Sequence, residues 1–159
     1  MKISTARFGD IDIAQEKTIT FPEGIPGFDD CRGFALVTTE ETEPFSWLQS
    51  MEQPEISFAV INPFRLFSDY APSIPLNALA DIGSPEDEDV LLLSIAVIPK
   101  DIEGMSTNLA SPILINAEKN LGKQVILDNT DYQIRQPIFE PVALLLNGGE
   151  QDAGSDPQA

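Results

Sequence analysis

Short apolar runs cut off by proline constrain this chain more than any other feature. It has 13 prolines, and Pro22, Pro44, Pro63, Pro99 and Pro137 each stand beside an apolar or alternating stretch. Proline fixes φ and has no amide hydrogen to give to a ladder, so these stretches cannot merge into long elements. Reading between the stops predicts about nine or ten short strands and one clear helix. The fold class that follows is mainly β: a small antiparallel barrel-like or sandwich fold with one or two short helices.

The clearest hairpin lies between Met105 and Leu127. Ile113–Ile115 and Val125–Leu127 are apolar arms, and Asn116, Asn120 and Gly122 between them tolerate the left-handed backbone of a reversal. An earlier hairpin is expected from Lys2–Arg7 and Asp12–Ala14 around Gly9-Asp10, followed by strands over 17–21, 33–38, 45–49 and 56–61. Trp47, in the 45–49 strand, is core or a binding platform. Phe64–Tyr70, flanked by Pro63 and Pro72, reads as a continuation at a sheet edge. Pro75–Ile82 is the helix, with Pro75 in its first turn and Gly83 as its stop. Val90–Ile98 is apolar almost throughout and reads as a central strand buried on both faces. Tyr132–Gln136 is a short strand, and Ile138–Leu146, interrupted by Pro141, is a terminal strand or a short helix. Residues 1–146 form one domain, and 147–159, without an apolar anchor, a disordered acidic tail.

Charge narrows the functional classes. With 26 acidic and 9 basic residues the net charge is −17, and residues 33–99 carry eleven acids against the single base Arg65. Such a surface attracts a basic protein, while direct nucleic-acid contact needs clustered Lys and Arg that are missing. There is no histidine and one cysteine, Cys31, so triads, dyads and transition-metal sites lack their usual members. The acids of Ser84–Asp89 lack the glycine and distal glutamate of a calcium loop. No phosphate loop or dinucleotide fingerprint occurs. We expect a non-enzyme without cofactor or metal. No apolar run is long enough to span a membrane, the start turns polar too early for a signal peptide, and a lone thiol fits a reducing cytoplasm.

Candidate residues divide into two groups. Phe64, Phe67, Tyr70 and Met105 are the candidate partner contacts, with Glu86 and Asp87 as an acidic rim, because aromatics beside a polar rim are interface anatomy. Phe64, Phe67 and Tyr70 can equally be core. Gly24, Pro26 and Gly27, in the tight loop Phe21-Pro-Glu-Gly-Ile-Pro-Gly-Phe28, are candidate structural residues, as are Asn108, Pro112, Asn116 and Gln124 of the second hairpin.

Five stretches together resemble a known family. They are Ile-Thr-Phe-Pro-Glu-Gly-Ile-Pro-Gly-Phe (19–28), Leu48-Gln49-Ser50, Asn62-Pro63 with Tyr70, Met105–Asn116 with its Asn-Leu-x-x-Pro-Ile-x-Ile-Asn core, and Gly122–Leu127. In this order and spacing the chain is similar to the flagellar assembly factor FliW over about residues 3–138. The resemblance implies a barrel-like β protein of the bacterial cytoplasm, a monomer on its own, that binds newly made flagellin and the basic RNA-binding regulator CsrA. It implies further that CsrA is blocked allosterically, so that flagellin mRNA is translated, and that secretion of flagellin resets the exchange. The alternatives from the residues alone are an acidic adaptor or nucleic-acid mimic that covers a basic groove directly, and a carboxylate-dependent hydrolase.

Overall fold

A computed structural model describes residues 2–14, 17–128 and 130–155, without the side chains of 148–155. Among the described residues eleven strands and two α-helices follow one another. The strands are β1 (Lys2–Thr5), β2 (Gly9–Asp12), β3 (Thr18–Thr20), β4 (Gly33–Thr38), β5 (Ser46–Ser50), β6 (Ser57–Ile61), β7 (Val90–Val97), β8 (Ser106–Thr107), β9 (Ile113–Asn116), β10 (Leu121–Gln124) and β11 (Gln136–Pro137). The helices are α1 (Leu76–Asp81) and α2 (Phe139–Ser155).

β3 to β7 form an antiparallel meander, and β9 and β10 close it into a seven-stranded barrel. β9 lies antiparallel to Val90–Leu93 of β7, β10 antiparallel to β9, and β10 parallel to β3 through Leu121 and Thr20. The edge of β7 that holds β9 changes partner midway, since Ala96 and Val97 pair with β8 and β8 in turn with β11. β1 and β2 stand apart as a two-stranded sheet. Closure leaves no open edge on the barrel itself.

Three apolar clusters meet at β7, and its side chains alternate between them. Leu91, Leu93 and Ile95 join the barrel interior with Ile19, Phe34, Leu48, Val60, Ile113 and Ile115. Val90 and Leu92 face out beneath α1, against Ile82 and Leu114. Ala96 faces a second outer cluster beneath α2, with Trp47, Ile61, Ile138 and Val142. The expectation of a strand covered on both faces therefore describes β7 as far as Ala96, whereas Val97 is 58% exposed. Inside the barrel Phe21, fully buried, sits over Gly122. A Cβ at 122 would stand 2.6 Å from the ring, so glycine there makes room for an aromatic worth about 2–3 kcal/mol of burial.

Buried amides fasten the loops between strands. Gln49 Nε2 donates to the carbonyls of Ser50, Pro54 and Ile56 at 3.1–3.2 Å and closes the 50–56 loop. Asn116 Oδ1 accepts from the amides of Glu118 and Lys119, and its Nδ2 donates to Ile82 O at 2.7 Å, tying the hairpin turn to the end of α1. Asn108 Oδ1 accepts from the amides of Ala110 and Ser111, and Gln124 Nε2 reaches Ser111 O. Pro112 is buried between these contacts. Gly24 and Gly27 have φ of +70° and +88°, Pro26 between them is exposed, and Ile25 at 2% exposure pins the loop to the barrel core.

Several elements differ from the sequence expectation. The second arm of the Met105–Leu127 hairpin is Leu121–Gln124, not Val125–Leu127, because the reversal needs only Ala117–Asn120 with Asn120 at φ +55°. Gly122 consequently lies in a strand, where its missing side chain matters and its backbone freedom does not. Phe64–Tyr70 is no edge strand: Asn62 Oδ1 accepts from Phe64 N and Pro63 opens a 3-10 turn. Of 132–136 only Gln136 enters a strand, paired through β11. Ile138–Leu146 is helical from Phe139 on, with Pro141 accommodated in the first turn. α2 spans 17 residues and includes 147–155 of the expected acidic tail. Residues 156–159 of that tail lie outside the described residues.

Candidate partner-binding surface

The aromatic segment 64–70 packs as two turns against the barrel. Phe67 N and Tyr70 N donate to Pro63 O and Phe67 O, which brings Tyr70 under the fold rather than out of it. Its side chain is 4% exposed and its hydroxyl donates to Leu109 O at 2.8 Å. Its ring meets Tyr132 edge to face at 4.7 Å and Phe64 at 5.5 Å. Burial, then the neighbouring Tyr132, pushes the Tyr70 phenol up to about 12. Met105 is likewise covered, at 6% exposure, in the cluster beneath α2, and Phe67 is half-buried against the same cluster. Of the four expected contact residues, Phe64 alone offers much surface, at 43%.

Glu86 and Asp87 are exposed where the chain enters β7, in and beside the 3-10 turn Asp87–Asp89. Met105 lies beside the far end of that strand, since Ser106 pairs with Val97. At about 3.3 Å per residue the acids and Met105 stand on the order of 20 Å apart. The fold does not bring them into one site.

A different feature gathers apolar surface. Between α2 and the β4–β5 loop runs a groove of about 550 Å³. Its floor is Phe45, Trp47, Met105 and Val142, all nearly buried, and its lips carry Ile98, Ile102 and Leu146 at 38%, 52% and 47% exposure. Trp47 is held in place on three sides. Phe8 meets it edge to face, Arg7 lies over its ring at 4.0 Å, and its Nε1 donates to Thr42 Oγ1 at 3.1 Å. Reading Trp47 as core is thus right for its burial and incomplete for its setting. Ile98, Ile102 and Leu146 escaped the sequence reading because Ile98 and Leu146 end runs that look like core and Ile102 sits in a turn. The signal was there in part: Ile102, between Asp101 and Glu103, is an isolated apolar residue among charges.

Away from this groove, Lys123 links three elements. Its Nζ contacts Glu23 at 2.8 Å and Asp81 at 3.1 Å, joining β10 to the 21–28 loop and to α1. The hydrogen bond to Glu23 is the chief reason that the ammonium is held above its usual range; burial opposes it, and Asp81 adds to it.

A closed barrel filled with apolar side chains, with an apolar recess on its outside, places the chain in the class of small mainly β barrel proteins. Comparison with known proteins places it within that class. Residues 2–138 match the family described as FliW protein. The chain is 43% identical over 141 residues to the flagellar assembly factor FliW of Caldanaerobacter subterraneus, covering 88% of this chain and 94% of that one. The corresponding protein of Leptospira interrogans is 39% identical over 145 residues, covering 91% and 97%. A crystal structure of the flagellar assembly factor FliW superposes with a TM-score of 0.82 at 37% identity, covering 87% of this chain and 97% of that one. The chain belongs to the FliW family. Six residues within the resembling stretches fasten loops: Gly24, Gly27, Gln49, Asn62, Asn108 and Asn116.

Proposed function

We propose that this protein is a cytoplasmic flagellar assembly factor that acts by binding rather than catalysis, exchanging flagellin for the regulator CsrA. In this reading, bound flagellin keeps it from CsrA; once flagellin is exported, the freed protein binds CsrA away from its RNA surface and relieves repression of flagellin translation. Membership of the FliW family across residues 2–138 is the observation that carries the reading. The net charge of −17 supports it, because a strongly acidic protein attracts a basic regulator and repels its own copies. Phe64, Glu86 and Asp87 remain candidate contacts, all three being exposed.

Calorimetric titration with purified flagellin and with CsrA tests this directly. Binding of each, with flagellin displacing CsrA, is the expected result; no binding of either refutes the assignment. The eleven-to-one excess of acids over bases in 33–99 also favours a second reading, an acidic mimic that occupies the RNA groove itself. A transient ternary complex of RNA, CsrA and this protein would support the allosteric route. Strict competition with RNA would support the mimic.

A further inference from the structure

We propose that the groove between α2 and the β4–β5 loop receives an amphipathic helix from a partner protein, with an apolar stripe flanked by lysine or arginine. The proposal rests on reading the chain as a partner-binding factor and adds to it a site and the chemistry of its occupant.

The shape argues for a helix. The floor of Phe45, Trp47, Met105 and Val142 is apolar and closely packed, each at 5–7% exposure, and three large aliphatic side chains on the lips are left in water. Helix-in-groove recognition buries side chains at i, i+3, i+4 and i+7 in such a recess. A small polar ligand would need convergent hydrogen-bonding groups to orient it. Those near the floor are already engaged, since the Trp47 indole donates to Thr42 and the Thr42 hydroxyl reaches Phe45 O. Arg7 lies against the Trp47 ring.

Charge selects the occupant. Glu40, Glu41 and Glu43 lie on the β4–β5 side, and Asp101 and Glu103 flank Ile102 on the other. Arg65, the cation opposite Glu43, is paired with it at 3.5 Å. A second copy of the chain would bring another −17 charge to these lips, which opposes self-association. A helix with basic flanks meets both the apolar floor and the acidic lips.

Trp47 is the single tryptophan, so its emission reports on the groove without a label. The probe is a synthetic helix of about four turns with leucine at i, i+3, i+4 and i+7 and lysine on both flanks. Its titration into the full chain is expected to shift Trp47 emission saturably. The same helix with glutamate for lysine should bind at least about tenfold more weakly. Ile102→Glu and Leu146→Glu, both at exposed positions and each checked by thermal melting, should weaken the lysine helix by at least about tenfold. An emission unchanged by the lysine helix, equal binding of the glutamate helix, or wild-type affinity in both folded variants overturns the proposal. Neither flagellin nor CsrA enters this test, so its failure leaves the proposed exchange standing, and failure of the exchange leaves this result intact.

Discussion

Phe21 and Gly122 share one volume inside the barrel, and their substitution separates packing from backbone freedom. Gly122→Ala puts a methyl carbon against the ring, and we expect a loss of about 1–3 kcal/mol in chemical denaturation. Adding Phe21→Leu should cost less in the Gly122→Ala background than in wild type; a purely additive pair would mean that the two do not compete for space. Tyr70 gives a second residue-scale test. Tyr70→Phe leaves Leu109 O without its donor and should cost about 1–2 kcal/mol, while Tyr70→Ala, which empties a buried aromatic site, should cost about 3–5 kcal/mol. The sign of the pH effect follows from the raised phenol. Above about pH 10 the unfolded chain loses this proton while the folded chain retains it, so stability falls from about pH 10 to about 12. Lys123 acts in the same alkaline direction, its held proton being lost sooner from the unfolded chain. Alkaline denaturation of Tyr70→Phe should therefore be shallower than that of wild type; an identical slope would exclude the Tyr70 contribution.

At the scale of elements, α2 has one covered face and one open face. Val142 is 5% exposed in the cluster with Trp47 and Ile138, and Leu144 is 71% exposed two positions on. Val142→Asp should cost more than about 3 kcal/mol and Leu144→Asp less than about 0.5, read from denaturation midpoints. Much of the element order was legible because proline and glycine stops are local: β4 runs over the predicted 33–38, and α1 lies within the predicted 75–82. What was not legible depended on partners distant in the chain. Gly122 looked like a turn residue because its reason, Phe21, lies about a hundred positions away. Tyr70 looked available because the carbonyl that captures it, Leu109 O, is remote. The groove was invisible for the same reason, being assembled from the β1–β2 turn, the β4–β5 loop, the segment after β7 and α2.

For the whole molecule, the charge makes two predictions about solution behaviour. Affinity for CsrA should fall as salt rises towards physiological strength and beyond, where screening acts within about 10 Å; an affinity indifferent to salt would remove charge from the reading. Residues 148–159 include Glu150, Asp152 and Asp156. We expect their deletion to shift the melting temperature by less than about 3 °C, the equivalent of about 1 kcal/mol in a chain of this size, and to weaken CsrA binding modestly. A larger loss of thermal stability would make the end of α2 part of the fold.

The parallel seam between β3 and β10 also sets when during synthesis the protein comes into being. β3 to β7 can zip as a meander while the chain emerges, each strand meeting the one just before it. The barrel stays open until Leu121 reaches Thr20, and the Asn120 carbonyl accepts the Thr20 amide at 2.9 Å. Loop closure over such a separation is slow relative to local pairing. A nascent chain that has released β7 but not yet Leu121 thus carries an unsealed sheet, and only a chain that reaches Leu121 can close it.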